Sequence, residues 1–186
     1  PDVEMKKTEL DTFDNKPYHP GSIAKRGLWY VVNILFFNTP LPFPNSLKRI
    51  LLRIFGAKIG KGVVLKPKVN IKYPWMLCIG NYSWIGERVW IDNLGKVDIG
   101  ANCCISQGAM LLCGNHNFSV SSFDLIVDNI TLEEGVWLGA KSIVTQGVTC
   151  YSHSVLSVGS VASKDLEAYT INRGNPAEKI KSRTIE

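Results

Sequence analysis

Three histidines, His19, His116 and His153, are the side chains best suited to proton transfer in this chain. An imidazole with an unperturbed pKa of about 6.5 can take a proton near neutral pH. His116 stands out by its position. It lies in LLCGNHNFSV (Leu111 to Val120), where a strong sequence rhythm stops. Loops that leave a rigid scaffold commonly carry function. His19 belongs to a polar N-terminal arm, and His153 to a solvent-type position of the rhythm. Five cysteines (Cys78, Cys103, Cys104, Cys113 and Cys150) form no CxxC pair, and their odd number excludes a fully paired disulfide framework. With no HExxH segment and no cysteine cluster, no metal is expected.

Composition sets the outer limits. The 186 residues are 45% apolar and 20% charged, which suits one soluble globular domain with an appended arm. A formal charge of +5 favours phosphate-bearing small molecules or acidic surfaces, and it is no nucleic-acid signature. The first residues are polar and charged, so no signal peptide is expected, and the cysteine usage fits a reducing cytoplasm. GLWYVVNILFF (Gly27 to Phe37) is shorter than the roughly 20 apolar residues a bilayer span needs. It reads as a helix packed on the domain or on a neighbouring subunit. Flanking Lys25 and Arg26 also make it compatible with a peripheral position on the inner membrane.

The rhythm is a six-residue repeat. Aliphatic residues recur at Ile59, Leu65, Ile71 and Leu77, then at Ile79, Ile85, Ile91 and Val97, then at Ile99, Ile105 and Leu111. After an interruption they return at Leu132, Leu138, Val144, Cys150 (a small apolar stand-in) and Leu156. Four positions after each comes a small or β-branched residue, such as Val63, Ser83, Cys103, Ala109, Ser142 and Ser160, with Trp75 breaking the rule. This period fits neither a 3.6-residue helix nor a flat sheet. It fits short strands joined by tight turns, three to a triangular coil, with coils stacked in parallel around an aliphatic column. The twenty-residue spacing of Ile59, Ile79 and Ile99 adds a two-residue bulge to an eighteen-residue coil. Near Trp75 the coil is expected to be distorted.

The flanks must close this stack. PNSLKRILLRIFGAKIG reads as a helix with Leu47, Ile50, Leu51, Ile54 and Phe55 on one face, Asn45 or Ser46 as its cap and Gly56 as its end. Lys48, Arg49 and Arg53 then form a solvated face. The expected organisation is an N-terminal arm and helical cap over residues 1–58 and a β-helix over 59–164, interrupted by a loop at about 112–131. A C-terminal tail over 165–186 follows.

These repeats resemble the hexapeptide-repeat acyltransferases, whose fold is a left-handed parallel β-helix and whose usual state is a homotrimer with sites between subunits. DNLGKVDIG, CCISQGAMLLCGNHNF and the GNPAEK tail narrow the resemblance to O-acetyltransferases of colanic-acid and related exopolysaccharide biosynthesis. The resemblance implies transfer of acetyl from acetyl-CoA to a hydroxyl of a sugar or glycan precursor. It makes His116, in its Gly-x-His context, the general base, and the backbone N–H of Ala140 the oxyanion donor. Asn93, with Asp92 and Gln107 as weaker candidates, would contact the acceptor. Turn formation explains Asp92 and Asn93 equally well. Ala140, Val158, Ser163, Lys164 and Lys181 would hold the coenzyme, with Arg173 and Lys179 as further cations. Two departures stand out: Asn117 replaces the aspartate that follows the histidine in many relatives, and Glu178 takes a commonly basic position.

Other readings remain open on sequence. Transfer to an amine of a nucleotide-linked amino sugar is poorly separated from transfer to a hydroxyl. A non-catalytic β-helix scaffold is a second alternative. A hexapeptide-repeat carbonic anhydrase needs three well-placed histidines, which His19, His116 and His153 do not supply.

Overall fold

The computed structural model describes residues 6–186. Its body is a parallel β-helix with three sheet faces. The first face stacks Lys58–Ile59, Leu77–Ile79, Val97–Ile99, Ile130–Leu132 and Thr149–Cys150. The second stacks Val64–Leu65, Trp84–Ile85, Cys104–Ile105, Trp137–Leu138, Val155–Leu156 and Thr170–Gly174. The third stacks Asn70–Ile71, Trp90–Asp92, Met110–Leu112, Ile143–Thr145 and Val161–Ala162. Ile59, Ile79 and Ile99 pair directly, so the twenty-residue spacing is one coil. Ile99 then pairs with Leu132, and the interrupting segment leaves the stack without shifting its register. Every repeat aliphatic from Ile59 to Leu156 is buried, as are the small residues four positions on. Around Trp75, a 3-10 turn at Pro74–Met76 replaces a regular corner.

Two helices close the lower end: α1 (Ile23–Val32), extended by a wider π-helical turn at Asn33–Phe37, and α2 (Asn45–Ile54). The first coil has no strand beneath it, so the downward backbone groups of Ile59, Leu65 and Ile71 lack ladder partners. Helix side chains supply them. Arg53 Nη2 donates to the Ile59 carbonyl at 2.7 Å. Lys48 Nζ donates to the Leu65 carbonyl at 3.2 Å, and the Leu65 N–H donates to Asn45 Oδ1 at 2.8 Å. Trp29 Nε1 donates to the Ile71 carbonyl at 2.8 Å, and the Ile71 N–H reaches Asn33 Oδ1 at 3.4 Å. Each face of the prism is capped by this set.

The expected orientation of α2 is therefore corrected. Lys48 is fully buried, Arg49 Nη1 donates to the Val63 carbonyl at 2.9 Å, and Arg53, though exposed, serves Ile59, so these cations are turned to the first coil rather than forming a purely solvated face. Ile50 (52% exposed) and Ile54 (71%) point outward instead. An open β edge demands donors more strongly than it demands apolar cover. Asn45 does not cap α2, because its amide is engaged with Leu65. In α1, Trp29 and the following Phe37 pack inward, while Ile23, Leu28, Val31 and Leu35 stay exposed. At the upper end, Ala177–Ser182 pairs antiparallel with Thr170–Gly174 as a terminal hairpin.

Candidate active site

The interruption forms a hairpin, with Gly114–His116 antiparallel to Leu125–Val127. It leaves the stack at the corner between the third and first faces. Gly114 lies so close to Leu94 that a side chain there would collide with it. The His116 ring is fixed from two sides. Its Nδ1 lies 2.8 Å from the Phe123 carbonyl, and its face stacks on the Phe123 ring with centroids 4.5 Å apart and planes 7° apart. Phe13 covers it at 5.6 Å. A carbonyl only accepts, so Nδ1 donates to it, and in the neutral ring the lone pair is on Nε2. Phe123 achieves this with φ of +52°, a backbone region that bulky residues seldom adopt. Asn117 builds the turn: its Oδ1 accepts from the Ser119 N–H at 3.1 Å, and its own N–H donates to the Asp124 carbonyl at 2.8 Å.

His116 lines a cavity of about 960 Å³, whose outer wall is the N-terminal arm from Phe13 to Ile23. The arm is pinned by the Glu9 N–H on the Ser121 carbonyl (2.8 Å), Tyr18 Oη on the Leu94 carbonyl (2.6 Å) and Trp75 Nε1 on the Pro20 carbonyl (2.9 Å). Burial foremost, then Tyr73 and Asp92, pushes the Tyr18 phenol far above its ordinary range, so it stays a neutral donor. This wall is absent from the sequence reading; aromatic Phe13 and Tyr18 in a polar stretch were its only signal. A second cavity of about 630 Å³ adjoins the first through shared Arg26, Lys72 and Tyr73. Asp92 lines the second cavity and pairs with Lys72 at 2.9 Å. Asn93 is fully buried: its Nδ2 donates to the Tyr73 carbonyl at 2.6 Å and its Oδ1 accepts the Tyr73 N–H at 3.0 Å. The expected direct acceptor contact is corrected, because those bonds join Asn93 to the coil below.

Gln107, Ala140 and Val158 gather at the corner between the second and third faces, where they line a separate cavity of about 590 Å³ with Trp137, Leu156 and Arg183. Gln107 thus sorts with Ala140 rather than with His116 of the same chain. Gly139 lets the coils approach: a Cβ there would lie 2.6 Å from the Val158 nitrogen. Ala140 is half-buried; its carbonyl accepts from the Gly159 N–H at 2.9 Å, and its own N–H has no backbone acceptor among the described residues. The two cavities share no lining residue. Ser163, Lys164 and Lys181 are exposed and lie outside the Ala140 cavity. Lys179 pairs with Glu167 at 2.8 Å, and Arg173 faces Glu178 across the terminal hairpin. Arg183 was missed in the sequence; its Nη1 donates to the Gly135 and His153 carbonyls, both at 3.0 Å.

His153 tilts against Tyr169 at 4.8 Å, while His19 lines the His116 cavity. Among the described residues, no three His, Cys, Asp or Glu side chains group closely enough to hold a metal, and no helix is long and apolar enough to cross a membrane. All five cysteines are unpaired. Burial pushes the Cys103 and Cys113 thiols up to about 11, leaving them poor nucleophiles.

No protein-family model matches the chain. An Escherichia coli (strain K12) protein that carries the name of a colanic acid biosynthesis acetyltransferase, WcaF, is 38% identical over 168 residues, covering 90% of this chain and 92% of that one. Among solved structures, a maltose O-acetyltransferase from Clostridium difficile 630 superposes with a TM-score of 0.80 at 21% identity, covering 88% of each chain. A hexapeptide-repeat acetyltransferase from Vibrio cholerae, solved with acetyl-CoA, gives 0.78 at 20% identity, covering 87% of this chain and 88% of that one.

Proposed function

This chain belongs to the hexapeptide-repeat acetyltransferases and is related to the colanic acid biosynthesis acetyltransferase, and from that premise we propose that it transfers acetyl from acetyl-CoA to a hydroxyl of a sugar or exopolysaccharide precursor. The observation that carries the reading is the His116 ring, bound through Nδ1 to the Phe123 carbonyl in a cavity large enough for a sugar. His116 Nε2 takes the acceptor hydroxyl's proton as that oxygen attacks the thioester carbonyl carbon. The Ala140 N–H donates to the oxyanion that forms. The C–S bond then breaks, and His116 returns the proton to the departing coenzyme thiolate.

Ala140 and Val158 are proposed to line the path of the pantetheine arm. Ser163, Lys164 and Lys181 would meet the coenzyme where it leaves the cavity. Base and oxyanion donor line separate cavities, so a complete site takes one from each of two neighbouring copies, which supports a homotrimer. Five unpaired cysteines support a cytoplasmic setting. The outward apolar face of α1 beside Lys25 supports peripheral attachment to the inner membrane. Co-sedimentation with anionic vesicles checks that point, and no binding at low salt would sink it.

Thiol release from acetyl-CoA, followed across a panel of neutral, acidic and amino sugars with mass analysis of the products, tests the central reading. Acetylated hydroxyls are expected, with His116→Ala losing about 10²- to 10⁴-fold in kcat. Products acetylated only on nitrogen would move the assignment to N-transfer, and a fully active His116→Ala variant would remove the base.

A further inference from the structure

The junction between the two cavities at the His116 end holds a cation with no partner among the described residues. Arg26, on the first turns of α1, lines both compartments. Its Nε is shielded from solvent and has no hydrogen-bond acceptor, and among the described residues no carboxylate lies within ion-pair distance of its guanidinium. Of the carboxylates in the same walls, Asp92 stands in an ion pair although its Oδ1 makes no well-directed hydrogen bond, and Asp14 is bound locally. Asp92 pairs with Lys72 at 2.9 Å, and Asp14 Oδ1 accepts the Lys16 N–H at 2.9 Å. Buried charged donors are ordinarily paired, because an unmet one keeps its full desolvation cost. Around Arg26 the surface is suited to a glycan: Tyr30 and Trp90 offer aromatic area, and Asn38 and Asn70 offer amides.

We infer that the acceptor is an acidic glycan, whose carboxylate or phosphate is held by Arg26 while a hydroxyl of the same or the neighbouring unit reaches His116. This rests on the sugar-acceptor reading and adds the charge of the substrate. Arg26 is suited to the task because a guanidinium offers a planar fork to two anionic oxygens. Lys72, neutralised by Asp92, holds the opposite side of the junction without competing for the anion.

The test is equilibrium binding to the full chain, read by calorimetry, so that it does not depend on turnover. Three ligands matched in size are compared: a neutral disaccharide, its uronic-acid counterpart and its phosphorylated counterpart. At least one acidic ligand is expected to bind about tenfold or more tighter than the neutral one. Whether the uronate or the phosphate leads identifies the source of the anion. Arg26→Gln should collapse that ratio to near one, and Arg26→Lys should restore part of it. Equal binding of all three ligands, or a ratio unchanged in Arg26→Gln, overturns the inference. His116→Ala separates the two readings: the acidic preference should persist in it while acetyl transfer is lost. If transfer survives in that variant, the base assignment fails and the anion preference is judged on its own ratio.

Discussion

The two nitrogens of His116 have unlike surroundings, and that difference supports the role proposed for it as a base. Nδ1 is held at 2.8 Å by the Phe123 carbonyl, which fixes both ring angle and tautomer. In many relatives an aspartate follows the histidine; here Asn117 is occupied with its turn, and a main-chain oxygen orients the ring instead. Phe123 contributes in two separable ways, by its carbonyl and by its stacked ring. Phe123→Gly keeps access to positive φ and removes the ring, so kcat should fall by about tenfold or less while acetyl-CoA KM holds. A fall as deep as that of His116→Ala in steady-state kinetics would mean the stack, not the carbonyl, positions the base. His116 was legible in the sequence because the repeat breaks around it. Phe123 and the Tyr18 wall were not, since their contacts span the hairpin and the whole N-terminal arm and obey no local period.

Among the elements, α2 is where pattern and structure part. Its apolar stripe suggested an inward face through Ile50 and Ile54, yet those residues face outward and Lys48 faces in. A periodic pattern records which residues share a side. It does not record that the surface beneath is a row of unpaired carbonyls. Lys48→Met keeps most of the volume and deletes the donor to Leu65 and Lys66, so stability should fall by about 1–3 kcal/mol. Burial pushes the Lys48 amine below its ordinary value of 10.5, so at pH values just beneath that value the unfolded chain binds this proton more tightly than the native one. Wild-type stability should therefore rise with pH through that window, and the Met variant should lack that increment. Urea melts of both proteins between pH 8 and about 10.5 check the slope. Parallel slopes would mean that Lys48 keeps its ordinary affinity for the proton.

At the scale of the whole molecule, the repeat made the coil stack legible, but it could not show that the proposed base and the proposed oxyanion donor stand at different corners. His116 hangs from the corner between the third and first faces, and Ala140 from that between the second and third. If a trimer brings one corner of each copy against the other corner of the next, every site uses His116 from one chain and Ala140 from its neighbour. Two inactive variants should then complement. His116→Ala removes the base, and Ala140→Trp fills the cavity beside the oxyanion donor while leaving His116 intact. In a trimer mixed at random from equal amounts, a site is whole only when the first contributor is the Trp variant and the second is the Ala variant. That holds for about a quarter of sites. Co-expression should thus restore about a quarter of wild-type acetyl transfer per site, whereas mixing the separately assembled proteins should restore none until subunits exchange. If co-expressed variants stay inactive while forming mixed oligomers, His116 and Ala140 do not meet across a subunit boundary and each chain works alone.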